Sequence, residues 1–266
     1  MWSASLRYLY MLPILFLILW KNHQLWDILK EIKKRPVFWI LWSTVGFGLF
    51  YAPLSLASAY GESWLIASTW QITIVAGVLL TPLFGQKLPL RNFAMSCVIL
   101  AGIFIIQSSH WGKSQPGSII MVLIPILIAA FSYPLGNRMT MAHCPEHITA
   151  IQRIFGMTLC SLPFWLICSV YAYMEAGWPN TDQNLQAFLV ALFSGVIATC
   201  LFFRATDMVK NNPKQLAIIE ATQSGEVIFT LLGGLFILGD AVPSAMGFLG
   251  IFLIIFGMTA NSLMTS

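Results

Sequence analysis

Long apolar runs separated by short polar segments occupy most of this sequence. A helix needs about 20 mostly apolar residues to cross the hydrocarbon core of a bilayer, and nine runs come close to that length or exceed it. They cover residues 2–20, 37–60, 63–84, 92–108, 118–136, 149–173, 186–206, 214–238 and 242–262. The sequence lacks the alternation typical of membrane β-barrels, and only helices and closed barrels satisfy their own backbone hydrogen bonds in lipid. The pattern therefore predicts an all-α, polytopic membrane helix bundle of about nine transmembrane helices, which we number as spans 1 to 9.

The composition of the 266 residues agrees with a membrane protein and excludes other classes. Hydrophobic residues make up 58% of the chain and charged residues only 9%, whereas a soluble domain usually carries about a quarter charged residues. These values exclude a soluble enzyme, a nucleic-acid-binding protein and a disordered chain. The five cysteines are an odd number without paired spacing, so we interpret them as small hydrophobic residues.

Apart from Arg7 and Arg153, the lysines and arginines lie almost entirely in alternate loops and at the span ends that flank them. The loops after spans 1, 3, 5 and 7 carry Lys21, Lys30, Lys33, Lys34, Arg35, Lys87, Arg91, Arg138, Arg204, Lys210 and Lys214. The other loops carry Lys113 alone. Because loops rich in lysine and arginine face the cytoplasm, we predict an outside N-terminus and a cytoplasmic C-terminus in a bacterial cell membrane.

Residue matches at a slowly drifting offset indicate an internal repeat. The ordered matches are Arg7 with Arg153, Leu49-Phe50 with Leu201-Phe202, Gln71 with Gln223, Val75 with Val227, Gly85 with Gly239, Pro89 with Pro243 and Gly102 with Gly257. Spans 1 to 4 would then be equivalent to spans 6 to 9, and span 5 would lead the second copy. We therefore predict a first repeat at residues 1–109, which lacks its leading helix, and a second repeat of five helices at residues 110–266. An odd number of helices per repeat inverts the two copies, as in many secondary transporters.

Five segments distributed along the whole chain carry a family resemblance. They are residues 3–8 (SASLRY), 46–53 (GFGLFYAP), 69–77 (TWQITIVAG), 133–138 (YPLGNR) and 221–227 (ATQSGEV). The chain resembles the ten-helix drug/metabolite transporter superfamily and, within it, the multidrug resistance efflux transporters. The resemblance implies a secondary transporter that exports small organic molecules. The family's first helix has no counterpart here, and its absence would leave a groove along spans 1 to 4. We therefore expect an upstream coding segment for one apolar helix, or an apolar partner or second copy that fills this groove.

Glu226 is the sharpest candidate for function, because it lies about halfway along span 8. An ionisable side chain within a span costs about 2.5–3.5 kcal/mol on insertion scales and is a functional candidate by default. With Gln223 and Glu220 it forms one slanted polar stripe at helical spacing. A carboxylate in such a stripe suits proton exchange along a substrate pathway. The alternative is that Glu226 pairs permanently with a buried arginine such as Arg7 or Arg153 and only holds helices together.

Other polar and aromatic side chains within the spans extend this predicted pathway. Gln71 is the counterpart of Gln223 in the repeat and could line the site with the rings of Trp70, Tyr51 and Tyr133. Such rings bind flat or cationic organic molecules through stacking and cation–π contacts. Arg7 and Arg153 occupy equivalent places in the two repeats. We interpret them as structural charges that extend towards a membrane interface.

Other function classes are less well supported by the sequence. It contains no catalytic carboxylate pair, phosphate-binding loop or ATPase motif, so we predict no enzyme activity and no cofactor, and transport would use an ion or substrate gradient. The segment 143–147 (HCPEH) lacks the spacing of a helical zinc motif, so we predict no metal site. Two alternatives to drug export remain: a metabolite, amino-acid or nucleotide-sugar carrier of the same fold, and a non-transporting accessory subunit. The predicted partners are a small-molecule substrate, protons as coupling ion and the lipid bilayer, but not nucleic acid.

Overall fold

The protein is helical throughout the part of the chain that the structure describes. This computed structural model describes residues 1–85, 87–88, 90–110, 116–210, 212, 215–216, 219, 222 and 225–263. No strand is present among these residues, which confirms the all-α prediction. The helices are α1 (Trp2–Lys21), α2 (Leu25–Lys34), α3 (Pro36–Ala57), α4 (Ser63–Phe84), α5 (Leu90–His110), α6 (Pro116–His143), α7 (Ala150–Cys160), α8 (Leu162–Ala176), α9 (Thr181–Met208), α10 (Gly225–Leu238) and α11 (Ala245–Leu263).

Each predicted span coincides with a helix over the residues described, and the polytopic bundle is confirmed. The helices α1, α3, α4, α6 and α9 are long and apolar enough to cross a membrane. A sixth candidate span consists of α7 and α8, which meet at a bend of 47°. Pro163 lies in the first turn of α8 and has no backbone N–H for the helical hydrogen-bond ladder, which is a common cause of such a bend. The apolar parts of α5, α10 and α11 are shorter, so the number of nine crossings stays a prediction.

The segment between spans 1 and 2 contains a helix that the hydropathy pattern does not predict. In α2, Leu25 and Ile28 are buried, whereas Trp26 and the lysines are exposed. The apolar positions of this helix are too few for a span, because only one of its faces contacts the rest of the protein. It is therefore an amphipathic helix between two membrane-crossing helices rather than a loop.

The chain divides into two compact units, each assembled from two separate segments. Unit 1 comprises Met1–Ser55 and Leu135–Lys210, and unit 2 comprises Leu56–Pro134 and Asn211–Ser266. Each unit therefore contains helices from both predicted repeats. The predicted sequence repeats at residues 1–109 and 110–266 do not coincide with these compact units. The division into repeats therefore stays a prediction.

An aromatic cluster occupies the core of unit 1. The ring of Tyr8 in α1 stacks on Trp165 in α8 at a centroid distance of 4.4 Å and contacts Phe47 in α3 at 5.3 Å. Gly46 in α3 and Gly136 in α6 let their backbones touch, because a Cβ on Gly136 would overlap the backbone of Gly46. The buried rings and this close helix crossing bring α1, α3, α6 and α8 into one packed body.

In unit 2, α5 and α11 cross in an antiparallel, reciprocal contact. A Cβ added to Gly102 of α5 would lie 2.9 Å from Cγ1 of Ile254 in α11. A Cβ added to Gly257 of α11 would likewise lie 2.9 Å from Cγ1 of Ile99 in α5. The later residue of α5 meets the earlier residue of α11, so the two helices run in opposite directions. Their glycines allow the close approach that small residues give to membrane helices.

Candidate functional site

A buried glutamine interrupts α4, the central helix of unit 2. Gln71 lies where the segment Ser63–Trp70 ends and the segment Ile72–Leu80 begins, and its side chain is fully buried. Its Nε2 donates a hydrogen bond of 3.0 Å to the carbonyl oxygen of Ala67. Its Oε1 accepts no hydrogen bond from any residue that the structure describes. An unsatisfied buried acceptor costs free energy, so this oxygen is a candidate for contact with a bound molecule.

Two of the predicted aromatic residues lie beside Gln71. Trp70 is its neighbour in α4, and the centroid of the Trp70 ring lies 6.1 Å from that of Tyr133 in α6, at an interplanar angle of 58°. Trp70 is only 4% exposed. The structure therefore brings together Trp70, Gln71 and Tyr133 of the predicted set. We call these three residues the α4 site.

Hydrogen bonds from buried polar residues fix α4 beside its neighbours. The Nε2 of Gln107 in α5 donates a bond of 2.7 Å to Oγ1 of Thr69, and Oγ1 of Thr73 donates one of 3.2 Å to the carbonyl oxygen of Ala130 in α6. Gln107, Thr69 and Thr73 are not among the site residues predicted from the sequence. Gln107 could have been predicted, because a glutamine side chain within an apolar span costs free energy of insertion, as Gln71 does.

The helix that carries Glu226 packs against the first half of α4. Glu226 lies in the first turn of α10, and its side chain is exposed at the surface of the protein. At the other end of α10, Oδ2 of Asp240 accepts a hydrogen bond of 3.0 Å from the backbone N–H of Ser63. The Nε1 of Trp64 donates one of 3.2 Å to the carbonyl oxygen of Ala241. These two bonds hold the C-terminal end of α10 at the start of α4.

The remaining members of the predicted polar stripe and aromatic set are placed differently. Gln223 and Glu220 lie outside the described residues. Tyr51 belongs to unit 1, where the guanidinium carbon of Arg7 lies 4.0 Å from the centroid of its ring. Tyr51 is thus part of an arginine–aromatic contact within unit 1.

Both arginines predicted as structural charges are buried in unit 1. Arg7 is 6% exposed, and its Nη2 donates a hydrogen bond of 3.2 Å to Oγ of Ser194 in α9. Arg153 is 3% exposed, and its Nη1 lies 2.5 Å from Oδ1 of Asp207, also in α9. Asp207 is not predicted from the sequence as the partner of Arg153, because it follows the predicted end of span 7 at residue 206.

The electrostatic surroundings of Arg153 also affect a nearby thiol. Burial raises the pKa of Cys144 to about 11, although the positive charge of Arg153 lowers it. The thiol is therefore uncharged at neutral pH, as expected for a cysteine that acts as a small hydrophobic residue. Among the described residues, no group of three or more His, Cys, Asp or Glu side chains is placed to hold a metal ion.

Comparisons with known proteins assign the family. The family EmrE, described as "Putative multidrug resistance efflux transporter", matches residues 1–266. The "Uncharacterized protein YjlA" of Bacillus subtilis is 49% identical over an alignment of 275 positions, which covers 98% of this chain and 85% of that protein. The "Uncharacterized 42.1 kDa protein in intracellular alkaline protease 3'region" of Shouchella clausii is 42% identical over 236 residues, which cover 85% of this chain and 62% of that protein. The chain therefore belongs to the EmrE family of multidrug resistance efflux transporters and is a multi-pass membrane protein.

Proposed function

We propose that this protein exports small organic molecules that carry a protonated amine or another cationic group with an N–H donor, and that they bind at the α4 site. The observation that supports this proposal is the buried Oε1 of Gln71, which accepts no hydrogen bond from the described residues. A substrate N–H would supply that donor. The ring faces of Trp70 and Tyr133 would add cation–π attraction, which is stronger in a desolvated site than in water.

The reciprocal crossing of α5 and α11 supports an inverted-repeat mechanism of transport. Gly102 and Gly257 are matched residues of the two predicted repeats, and each meets an isoleucine of the opposite helix. Ile99 and Ile254 are separated by the same number of positions as these two glycines. A two-fold relation between antiparallel helices is what inverted repeats produce. Such repeats allow alternating access when one bundle rocks against the other around a fixed site.

Glu226 is the proposed proton-exchanging group. It is the acid in the first turn of α10, which packs against the half of α4 that ends at Gln71. When ionised, its carboxylate attracts a cationic substrate, and when protonated it does not. Exchange of one proton for one substrate cation at this residue couples export to a proton gradient. We place the protein in the bacterial cell membrane with its N-terminus outside, as the loop charges predict.

The α4 site is tested by replacing its acceptor. Gln71→Leu keeps a similar volume and removes Oε1. Because a hydrogen bond to a charged group contributes about 1.5–3 kcal/mol, the Kd of a transported aromatic ammonium compound should rise by about 10- to 100-fold. The measurement is binding to the purified protein, together with uptake into proteoliposomes.

Gln183→Leu, in the first turn of α9 in unit 1, is the matched control. It should bind the compound as tightly as the natural protein. An unchanged Kd in folded Gln71→Leu protein would remove the α4 site from the proposal.

A further inference from the structure

The helix α2 is held on unit 1 by one of its faces. A Cβ added to Gly156 of α7 would lie 3.1 Å from Cδ1 of Ile28, so the two helices are in close contact. Just before α2, the carbonyl oxygen of Gln24 accepts a hydrogen bond of 2.7 Å from Nε2 of Gln152 in α7. The orientation of α2 is therefore fixed, and its other face is presented outward.

The outward face combines aromatic and basic side chains. Trp26, Lys30 and Lys33 follow one another at spacings of four and three residues, so they lie on one side of the helix, and all three are exposed. Lys34 and Arg35 continue this basic surface at the C-terminal end of α2. We call these five residues the α2 surface.

The exposed tryptophans indicate the depth at which the α2 surface lies. Trp26 is 67% exposed, and Trp20 at the end of α1 is 61% exposed. Indole rings favour the headgroup region of a bilayer, where an apolar body and a polar N–H are both accommodated. Because α2 connects the ends of two membrane-crossing helices, it lies at this same level.

The charge of the segment indicates which headgroups it contacts. Residues 21–35 contain five cations and two acids, Asp27 and Glu31, so three positive charges remain. Glu31 is buried and lies 3.6 Å from Nζ of Lys34, so Asp27 is the one exposed acid of this segment, against the exposed cations Lys30, Lys33 and Arg35. A zwitterionic headgroup carries no net charge to balance this surplus, whereas an acidic headgroup does.

We propose that the α2 surface is a binding site for the phosphate groups of acidic phospholipids, with the Lys30 and Lys33 ammonium groups as the donors. The ring of Trp26 packs beside the glycerol backbone and the upper acyl chain of the same lipid. The α2 surface consists of residues of unit 1, whereas the residues of the α4 site belong to unit 2. The α2 surface does not depend on the substrate or on proton coupling.

Native mass spectrometry of the protein released from nanodiscs tests this proposal. The nanodiscs contain equal amounts of phosphatidylglycerol and phosphatidylcholine, and the ratio of the two lipids retained on the protein is measured. The natural protein should retain mainly phosphatidylglycerol. In Lys30→Gln/Lys33→Gln the ratio should fall about 25-fold, because each of the two basic residues near an acidic surface contributes about fivefold to binding.

Two control variants separate lipid recognition from misfolding and from net charge. Lys30→Arg/Lys33→Arg keeps both charges and should keep the natural ratio. Lys87→Gln/Arg204→Gln removes two exposed charges elsewhere and should also keep it. Equal ratios for the natural protein and Lys30→Gln/Lys33→Gln would overturn the proposal, as would an equal loss in Lys87→Gln/Arg204→Gln. The α2 surface would then be free for another occupant, such as an acidic protein segment.

Discussion

The guanidinium carbon of Arg153 lies over the ring of Phe203, 4.7 Å from its centroid. Arg7 and Tyr51 form the same kind of contact at 4.0 Å. The two arginines are matched by the sequence repeat, and Tyr51 and Phe203 are separated by the same offset as the matched Leu-Phe pairs beside them. One contact joins span 1 to span 2 and the other joins span 6 to span 7, which are equivalent spans of the two predicted repeats, so the same kind of arginine–aromatic contact occurs in both.

Asp207→Asn should destabilise unit 1. The amide cannot neutralise Arg153, whose Nε and Nη2 already lack hydrogen-bond partners among the described residues. Breaking a buried ion pair costs several kcal/mol, and the partial exposure of Asp207 reduces this cost. We expect the free energy of unfolding in detergent to fall by about 1–3 kcal/mol. Glu175→Gln, at an exposed acid, is the control and should have no comparable effect; similar losses in both variants would contradict the prediction.

Gly102→Ala should weaken the crossing of α5 and α11. The added methyl group would lie 2.7 Å from the carbonyl oxygen of Gly250, a backbone atom that cannot move away cheaply. Overpacking of this kind costs about 1–3 kcal/mol. Gly233→Ala is the matched control, because no atom lies within 4 Å of the new methyl group. Thermal unfolding should show a lower midpoint for Gly102→Ala only, and equal midpoints would show that the two helices do not pack this closely.

The membrane fold is largely predictable from the sequence, because insertion of apolar helices into lipid depends on local composition. The nine apolar runs all correspond to helices over the described residues. The helix α2 is not predicted, since its apolar positions serve only one face. The bend at Ser161 could have been expected from Pro163. The grouping into two units could not, because it depends on contacts between distant segments.

The candidate site is only partly predictable for the same reason. Trp70 and Gln71 are adjacent in sequence, and Tyr133 is an aromatic residue within a predicted span. Tyr133 contacts Trp70 because α6 packs beside α4. Tyr51 contacts Arg7 because α3 packs beside α1. Arg153 in α7 and Asp207 in α9 likewise form a pair although they are 54 positions apart in the sequence. Hydropathy reports whether a residue is buried but does not identify its neighbour.

The orientation in the membrane is tested by labelling single cysteines in a cysteine-free variant. Lys33 lies on α2 and Glu175 near the end of α8, and both are exposed. Because the basic loops face the cytoplasm, an impermeant thiol reagent added to intact cells should label Glu175→Cys and not Lys33→Cys. After the cells are opened, both should react. Labelling of Lys33→Cys in intact cells would reverse the predicted topology.

Glu226→Gln should abolish proton-driven export while leaving the protein folded. The amide keeps the volume of the side chain but can neither release a proton nor attract a cation by charge. In the natural protein, binding of a cationic substrate should weaken as the pH falls, because protonation removes the negative charge of Glu226. In Glu226→Gln, binding should be weaker at neutral pH and independent of pH. Both are measured on purified protein, with transport followed in proteoliposomes under an imposed proton gradient.

Glu146→Gln is the control, since this acid is exposed in the segment between α6 and α7. It should keep the natural pH dependence and the natural rate of transport. If Glu226→Gln also kept proton-driven transport, the coupling group would have to be another acid. If Glu226→Gln instead failed to accumulate in the membrane while Glu146→Gln did not, Glu226 would be a structural ion-pair partner. The two readouts therefore distinguish a group that exchanges protons from one that only holds helices together.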